Sequence, residues 1–213
     1  MGWYREHVVP RIVDVACGTK NTDATRERVC TGLSGDMVEI GFGSGLNTRF
    51  YPPSVRSVAA VEPADLAWRL AQPRVQASAV PIQRAGLDGQ ALPMADGSVD
   101  SALSTWTMCT IPDLDAALAE LRRVLRPGGT LHFVEHGLAP DESVRRWQRR
   151  LEPLQKRVAG GCHLTREIVA SITDAGFELA EADSFYEEGA PRFLAALSLG
   201  VAVNPSAVSG PSA

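Results

Sequence analysis

"VEIGFGSGLNTRF", residues 38–50, places Gly41, Gly43 and Gly45 within five positions, directly after a short apolar run and before a candidate helix start. Glycines at a strand-to-helix turn let the main chain approach a ligand closely, and free N–H groups at a helix start favour an anionic group. A tight turn without a ligand is the competing reading, and the turn alone does not separate the two. Two carboxylates favour the ligand. Glu39 lies inside the apolar run, where a carboxylate lacking a cationic or N–H partner is costly. Glu62 closes the next apolar run, where an acid is placed to accept hydrogen bonds from the hydroxyls of a ribose.

The loop departs from a nicotinamide or flavin fingerprint. Counted from Gly41, the third glycine of G-x-G-x-x-G would stand at Leu46, and here it comes one residue early. A ligand with a ribose but no pyrophosphate suits this spacing. S-adenosylmethionine is such a ligand, its amino-acid end at the loop and its sugar at Glu62.

Outward from the loop, apolar runs and helical patterns alternate. Strands are expected at 37–41, 55–61, 80–83, 99–105 and 130–135, and helices at 45–50, 64–71, 115–125, 143–158 and 165–175. The early strands are nearly continuous in apolar residues, as in a parallel sheet covered on both faces. Pro127-Gly128-Gly129 ends one helix before a new strand. "GFELAEADSFY" and "PRFLAALSLGVAV" suit a closing antiparallel pair. The economical assembly is α/β: a Rossmann-like doubly wound, mostly parallel sheet with a C-terminal antiparallel strand pair. Residues 1–203 are read as a single domain, with a helical lid segment at 1–34, a core at 35–203 and a flexible tail at 204–213.

The chain has 213 residues, 45% hydrophobic and 22% charged, with a formal net charge of -4. That size holds one full core, and the charge gives no reason to expect nucleic acid as a partner. "RRWQRR", residues 145–150, spaces its arginines around a helix and reads as a solvated face. Cys17, Cys30, Cys109 and Cys162 are far apart, which argues against a disulfide framework or a zinc site and fits a reducing cytoplasm. No apolar run approaches the ~20 residues needed to cross a bilayer, so no transmembrane segment is expected.

"VEIGFGSG", "VAAVEP", "LDGQALPMADGSVDSALSTWTMC" and "LRRVLRPGGTLHFVEH" together resemble the motifs of class I S-adenosylmethionine-dependent methyltransferases of the small "type 11" group. "NTRFYPPSV" and "EHGLAPDESVRRWQRRLEPLQKRVAGGCHLTRE" are similar to a subgroup that includes the thiol (alkyl thiol) methyltransferases. The resemblance implies that Glu39, Gly41, Gly43 and Gly45 form the loop at the methionine end and that Glu62 holds the ribose. It places Asp88, Gly89 and Gln90 beside the adenine, and Thr105 and Trp106 at the sulfonium. It implies methylation of a small-molecule acceptor, a thiol among the candidates. The alternatives are a quinone, phenol or lipid-headgroup acceptor, and a protein that binds the cofactor without turnover.

Methyl transfer is an in-line displacement from a sulfonium that carries its own leaving group, so alignment and exclusion of water are the protein's main tasks. A base is needed only where the acceptor must lose a proton. His136, at the end of the fifth strand, and His163, in "GGCHLTRE", are the candidates, each with a hydrogen-bonded structural role as its alternative. Cys109 and Cys162 read as packing, and no metal ligand set is evident from the spacing. Trp3 and Tyr4 are placed to close over the ligand.

Overall fold

The computed structural model describes residues 8–206, and the expected closure by Trp3 and Tyr4 lies outside them. Helices α1 (Val9–Ala16) and α2 (Lys20–Cys30) precede strand β1 (Gly35–Ile40). Then follow β2 (Val55–Val61), α3 (Asp65–Ala77), β3 (Ile82–Gly86), β4 (Val99–Thr105), α4 (Leu114–Val124) and β5 (Leu125–His136). The chain continues through α5 (Glu142–Val158), α6 (Ile168–Asp174), β6 (Glu178–Tyr186), the one-turn α7 (Arg192–Ala195) and β7 (Ala196–Val203). No helix among the described residues is long and apolar enough to cross a membrane.

The seven strands lie in the order β3-β2-β1-β4-β5-β7-β6. β1 to β5 are parallel, and β7 runs antiparallel to both β5 and β6. Alternation along the strands divides the core. Val38, Ile40, Ala102, Leu131 and Phe133 face α4 and α6, meeting Leu118, Leu121, Ile168 and Ile172. Met37, Leu103 and Val134 point to the other face, against Val29, Cys30 and Leu33 at the end of α2. Successive strand side chains point to opposite faces, so one sheet is buried from both sides. β6, the outer strand, is mostly exposed and carries Glu178, Glu181 and Asp183, charges that discourage edge-to-edge pairing.

Local differences from the expected elements have local causes. The expected helix at 45–50 is a single 3-10 turn, Thr48–Phe50. Pro52 holds Tyr51 extended, and the Asn47 side chain is engaged elsewhere. The third strand starts at Ile82 rather than Val80, just after Pro81, which has no N–H to give a ladder. β5 begins at Leu125, directly after α4, and Pro127-Gly128-Gly129 bulges out where its register against β4 shifts. Asn204, assigned from sequence to the tail, is buried: its Nδ2 donates to the carbonyls of Arg122 (3.0 Å) and Leu125 (2.9 Å) and satisfies the end of α4.

β1 lies between β2 and β4, so the chain leaves the sheet in opposite directions after β1 and β4. Ligands in open α/β sheets bind in the crevice opened at such a reversal, outside the carboxyl ends of the strands.

Candidate active site

The glycine loop leaves β1 at that point. Gly41 has φ +67, and its main chain is pressed against Thr107. A Cβ built on Gly41 would lie 2.6 Å from the Thr107 Cβ and nearer still to its Oγ1 and Cγ2. Gly43 has φ +59 with nothing nearer than the Gly41 carbonyl at 3.8 Å. The first glycine lets two loops touch; the second only lets the chain turn.

Both carboxylates of the sequence reading hold this loop. Glu62 is buried; its Oε2 accepts from the Gly43 N–H (2.7 Å) and its Oε1 from the Ala64 N–H (2.8 Å). Burial raises its pKa, opposed by these two N–H groups and by Arg84. Glu39 is fully buried and accepts from the Asn47 amide (2.8 Å) and from the Tyr51 hydroxyl. Burial pushes its pKa up to about 7, against those hydrogen bonds and the charge of Arg26. The costly carboxylate in β1 thus finds an amide and a phenol, with the cation one step beyond.

That cation is Arg26, on α2, which no motif singled out. It donates to Asn47 Oδ1 (2.6 Å) and to the Cys17 carbonyl (3.0 Å), and its guanidinium lies 4.6 Å from the centre of the Trp106 ring. Its Nε–H is buried without a partner. Trp106 is the one non-glycine with positive φ among the described residues, at +50. A bulky residue in that region is strained and marks a position held by its surroundings. Here the hold is its N–H bond to Val134 (2.8 Å) and the stacked arginine. Thr105 accepts from Asn47 at 3.0 Å. Arg26, Gly41, Gly43, Asn47, Thr105 and Trp106, with Cys17, line a narrow crevice of about 70 Å³.

Asp88, Gly89 and Gln90, in the turn after β3, do not line this crevice. Asp88 Oδ1 accepts from the main-chain N–H (2.9 Å) and side-chain amide (3.1 Å) of Gln90, and Gln90 in turn accepts from the Asp113 N–H (2.9 Å). A Cβ on Gly89 would be in ordinary contact with Ile40 and Ile111, so this turn lies against the end of β1.

The two histidines are not alike. His163 is partly exposed and faces Glu152 at 3.5 Å, near a groove of Arg149, Glu152, Pro153, Lys156, Arg157 and Thr165 that shares no residue with the crevice. Partial burial, with Arg166 and Lys156, lowers its pKa. His136, at the end of β5, meets the sulfurs of Cys109 and Cys162. Burial works against its charged form, but the contact with Cys162 outweighs it and the pKa is raised. The two thiols share a contact of 3.7 Å that draws Cys162 down and holds Cys109 protonated. This convergence was not visible in the spacing. Trp147, within the basic stretch of α5, is exposed beneath Arg150.

Comparison with known proteins agrees with the geometry. Residues 38–133 match a family described as a methyltransferase domain. The chain is 37% identical over 155 residues to the Homo sapiens thiol S-methyltransferase TMT1B, covering 69% of this chain and 62% of that protein. It is 34% identical over 147 residues to the Homo sapiens thiol S-methyltransferase TMT1A, covering 66% and 59%. The chain therefore spans about 60% of the length of these curated relatives. Among solved structures, a SAM-dependent methyltransferase of Thermotoga maritima shares the fold with a TM-score of 0.66 at 21% identity, covering 94% of this chain and 99% of that one.

Proposed function

The chain belongs to the class I S-adenosylmethionine-dependent methyltransferases, and from that premise we propose that it transfers the methyl group of S-adenosylmethionine to a small thiol in a reducing compartment such as the cytoplasm. Glu62 carries the reading. It is buried behind Gly43 of the crevice lining, each of its oxygens takes one main-chain N–H, and each keeps a lone pair for a ribose hydroxyl. Gly41, Gly43 and Gly45 present bare main chain to the methionine end, with Glu39 fixing Asn47 beneath them. The unpartnered Nε–H of Arg26 suits the carboxylate of that end. Asp88, Gly89 and Gln90 flank the adenine, and Thr105 and Trp106 the sulfonium.

The crevice is too narrow for a nucleoside as it stands. Its outer wall is the α1–α2 turn, held by Asp14, which accepts from Ser44 (2.6 Å) and pairs with Arg74 (3.1 Å). The Cys17 carbonyl of the same turn accepts from Arg26 (3.0 Å) and from the Thr22 hydroxyl (2.8 Å), so seating the cofactor requires these half-buried contacts to rearrange. With the cofactor seated, this chain's residues align the acceptor and exclude water. A free thiol is only a few per cent ionised at neutral pH, and we assign removal of its proton to His136, at the carboxyl edge of the sheet, over His163, which faces Glu152.

Calorimetric titration with S-adenosylmethionine and S-adenosylhomocysteine, for wild type and Glu62→Gln, tests the cofactor half. Micromolar binding, weakened at least about tenfold by the substitution, is expected, since a charge-assisted hydrogen bond is worth about 1.5–3 kcal/mol. No binding by the wild type refutes the reading. Labelled methyl transfer to a panel of thiols, phenols and a demethylated quinone tests the acceptor half. Methylation of phenols or quinone alone overturns the thiol assignment, and tight binding without transfer to any of them favours a non-catalytic protein.

A further inference from the structure

Cys109, His136 and Cys162 come from three separate segments and meet at the carboxyl edge of β4 and β5. The sulfurs are 3.7 Å apart, and His136 Nδ1 lies 3.9 Å from Cys109 Sγ and 3.8 Å from Cys162 Sγ. A tetrahedral zinc ion, with Zn–S about 2.3 Å and Zn–N about 2.0–2.1 Å, spaces its ligands about 3.8 Å apart between sulfurs and about 3.6 Å between sulfur and nitrogen. We propose that these three side chains bind a thiophilic divalent ion, zinc by the chemistry of the donors, with the fourth position left to an exchangeable ligand.

The site is built before any ion arrives. Buried Glu135 accepts from the N–H groups of Cys109 (3.1 Å) and Thr107 (3.0 Å) and from the Ser104 hydroxyl (2.7 Å), fixing the loop that carries the first cysteine. The His163 N–H donates to the Cys109 carbonyl at 2.8 Å and ties the second cysteine's loop to the first. Arg166 reaches the carbonyls of Met108 and Ile111 from the same side. His136 is held in β5 opposite Leu197. Leu164, Leu151, Phe193 and Leu194 enclose the sulfurs in apolar surroundings. No other group of His, Cys, Asp or Glu among the described residues gathers three ligand atoms this closely.

Structural zinc sites are closed by four protein ligands, whereas three ligands and an open position characterise catalytic ones. Thr107 lines the crevice, and its N–H and that of Cys109, two residues on, both bind Glu135, so the loop carrying the first cysteine borders the proposed cofactor crevice. Resting on the thiol-acceptor reading, the fourth ligand is the acceptor. His136, as a ligand, then takes no proton; the ion replaces it in activating the thiol, whose S–H proton passes to solvent as the sulfur binds. A sulfur lone pair then forms the new S–CH₃ bond while the methyl–sulfonium bond breaks, giving a methyl thioether and S-adenosylhomocysteine. The ion is neither oxidised nor reduced.

The full chain, stripped with a chelator and reloaded with zinc or cobalt(II), tests the site. Expected are one equivalent of metal, a cobalt spectrum with thiolate charge-transfer and tetrahedral ligand-field bands, and affinity weakened at least about 100-fold in Cys162→Ser. Added 2-mercaptoethanol should shift the ligand-field bands. Substoichiometric metal, a cobalt spectrum without thiolate bands, or unchanged affinity in Cys162→Ser overturns the site, and so does a Cys109–Cys162 disulfide that forms in place of metal binding. The wild-type cobalt spectrum decides even if the variant fails to fold. One equivalent of thiolate-bound metal with no methylation of thiols keeps the site and refutes the acceptor reading instead.

Discussion

Replacing the loop glycines one at a time separates what each position does. Gly41→Ala places a side chain at φ +67 and drives its Cβ into Thr107, 2.6 Å from that residue's Cβ. Left-handed backbone costs an L-residue about 1–2 kcal/mol, and overpacking in a rigid setting about 1–3 kcal/mol more. Gly41→Ala should therefore lose about 2–5 kcal/mol. Gly43→Ala, at φ +59 but with its nearest neighbour 3.8 Å away, should lose only the backbone part, about 1–2 kcal/mol. Its new methyl group lines the crevice, so its cost should appear in S-adenosylmethionine affinity. Urea unfolding supplies the stabilities and calorimetry the affinities. A double-mutant cycle with Thr107→Ala relieves the nearest part of the collision, because that change removes Oγ1 and Cγ2, although the Thr107 Cβ stays at 2.6 Å. The Gly41→Ala penalty should shrink by about 1 kcal/mol or more in that background. Equal losses for the two glycine variants, or no coupling to Thr107, would refute the reasoning.

Glu39 gives a pH signature. Its pKa is near 4.5 when unfolded and about 7 when folded, so between those values the folded state holds a proton that the unfolded state has released, and stability falls as pH rises through that window. Glu39→Gln should remove this component, at most about 3 kcal/mol, when urea unfolding is compared at pH values either side of the window. An unchanged pH dependence in the variant would count against it. Gln148, fully buried on α5, accepts from the Ala139 N–H (2.9 Å) and donates to the Gly137 carbonyl (3.0 Å). Gln148→Ala strands both main-chain groups and opens a cavity, and should cost about 2–4 kcal/mol in the same assay. A loss below about 1 kcal/mol would show that water replaces the amide.

The sheet was legible because its information is local. Apolar runs, the glycine loop and the proline-glycine punctuation each lie within a dozen residues, and the β1-to-β2 span carries both Glu39 and Glu62. Boundaries moved where one residue overrode a pattern, as Pro81 did for β3 and Pro52 for the turn after the loop. The site was legible only in its cofactor half. Arg26 lies on a helix whose apolar pattern gives no hint that one cation turns inward beneath Trp106. Cys109, His136 and Cys162 are separated by more than 25 residues at each step, and no spacing rule links them.

What links them is register. Thr105 pairs with Val134 across β4 and β5, so the end of β5 at His136 and the loop that carries Cys109 beyond β4 leave the sheet at the same edge. α5 then crosses and returns the chain with Cys162 beside them, and Glu135, the last buried acid of β5, anchors the loop between. Burial raises the Glu135 pKa, and hydrogen bonds from Thr107, Ser104, Cys109 and Met108 oppose it. Its oxygens are spent on main-chain and hydroxyl donors, and those bonds hold Cys109 where a second cysteine and a histidine can reach it. The two halves of the site are therefore fixed by different means: one by a contiguous loop that any reader of the sequence can find, the other by a tertiary alignment that exists only once the sheet has closed.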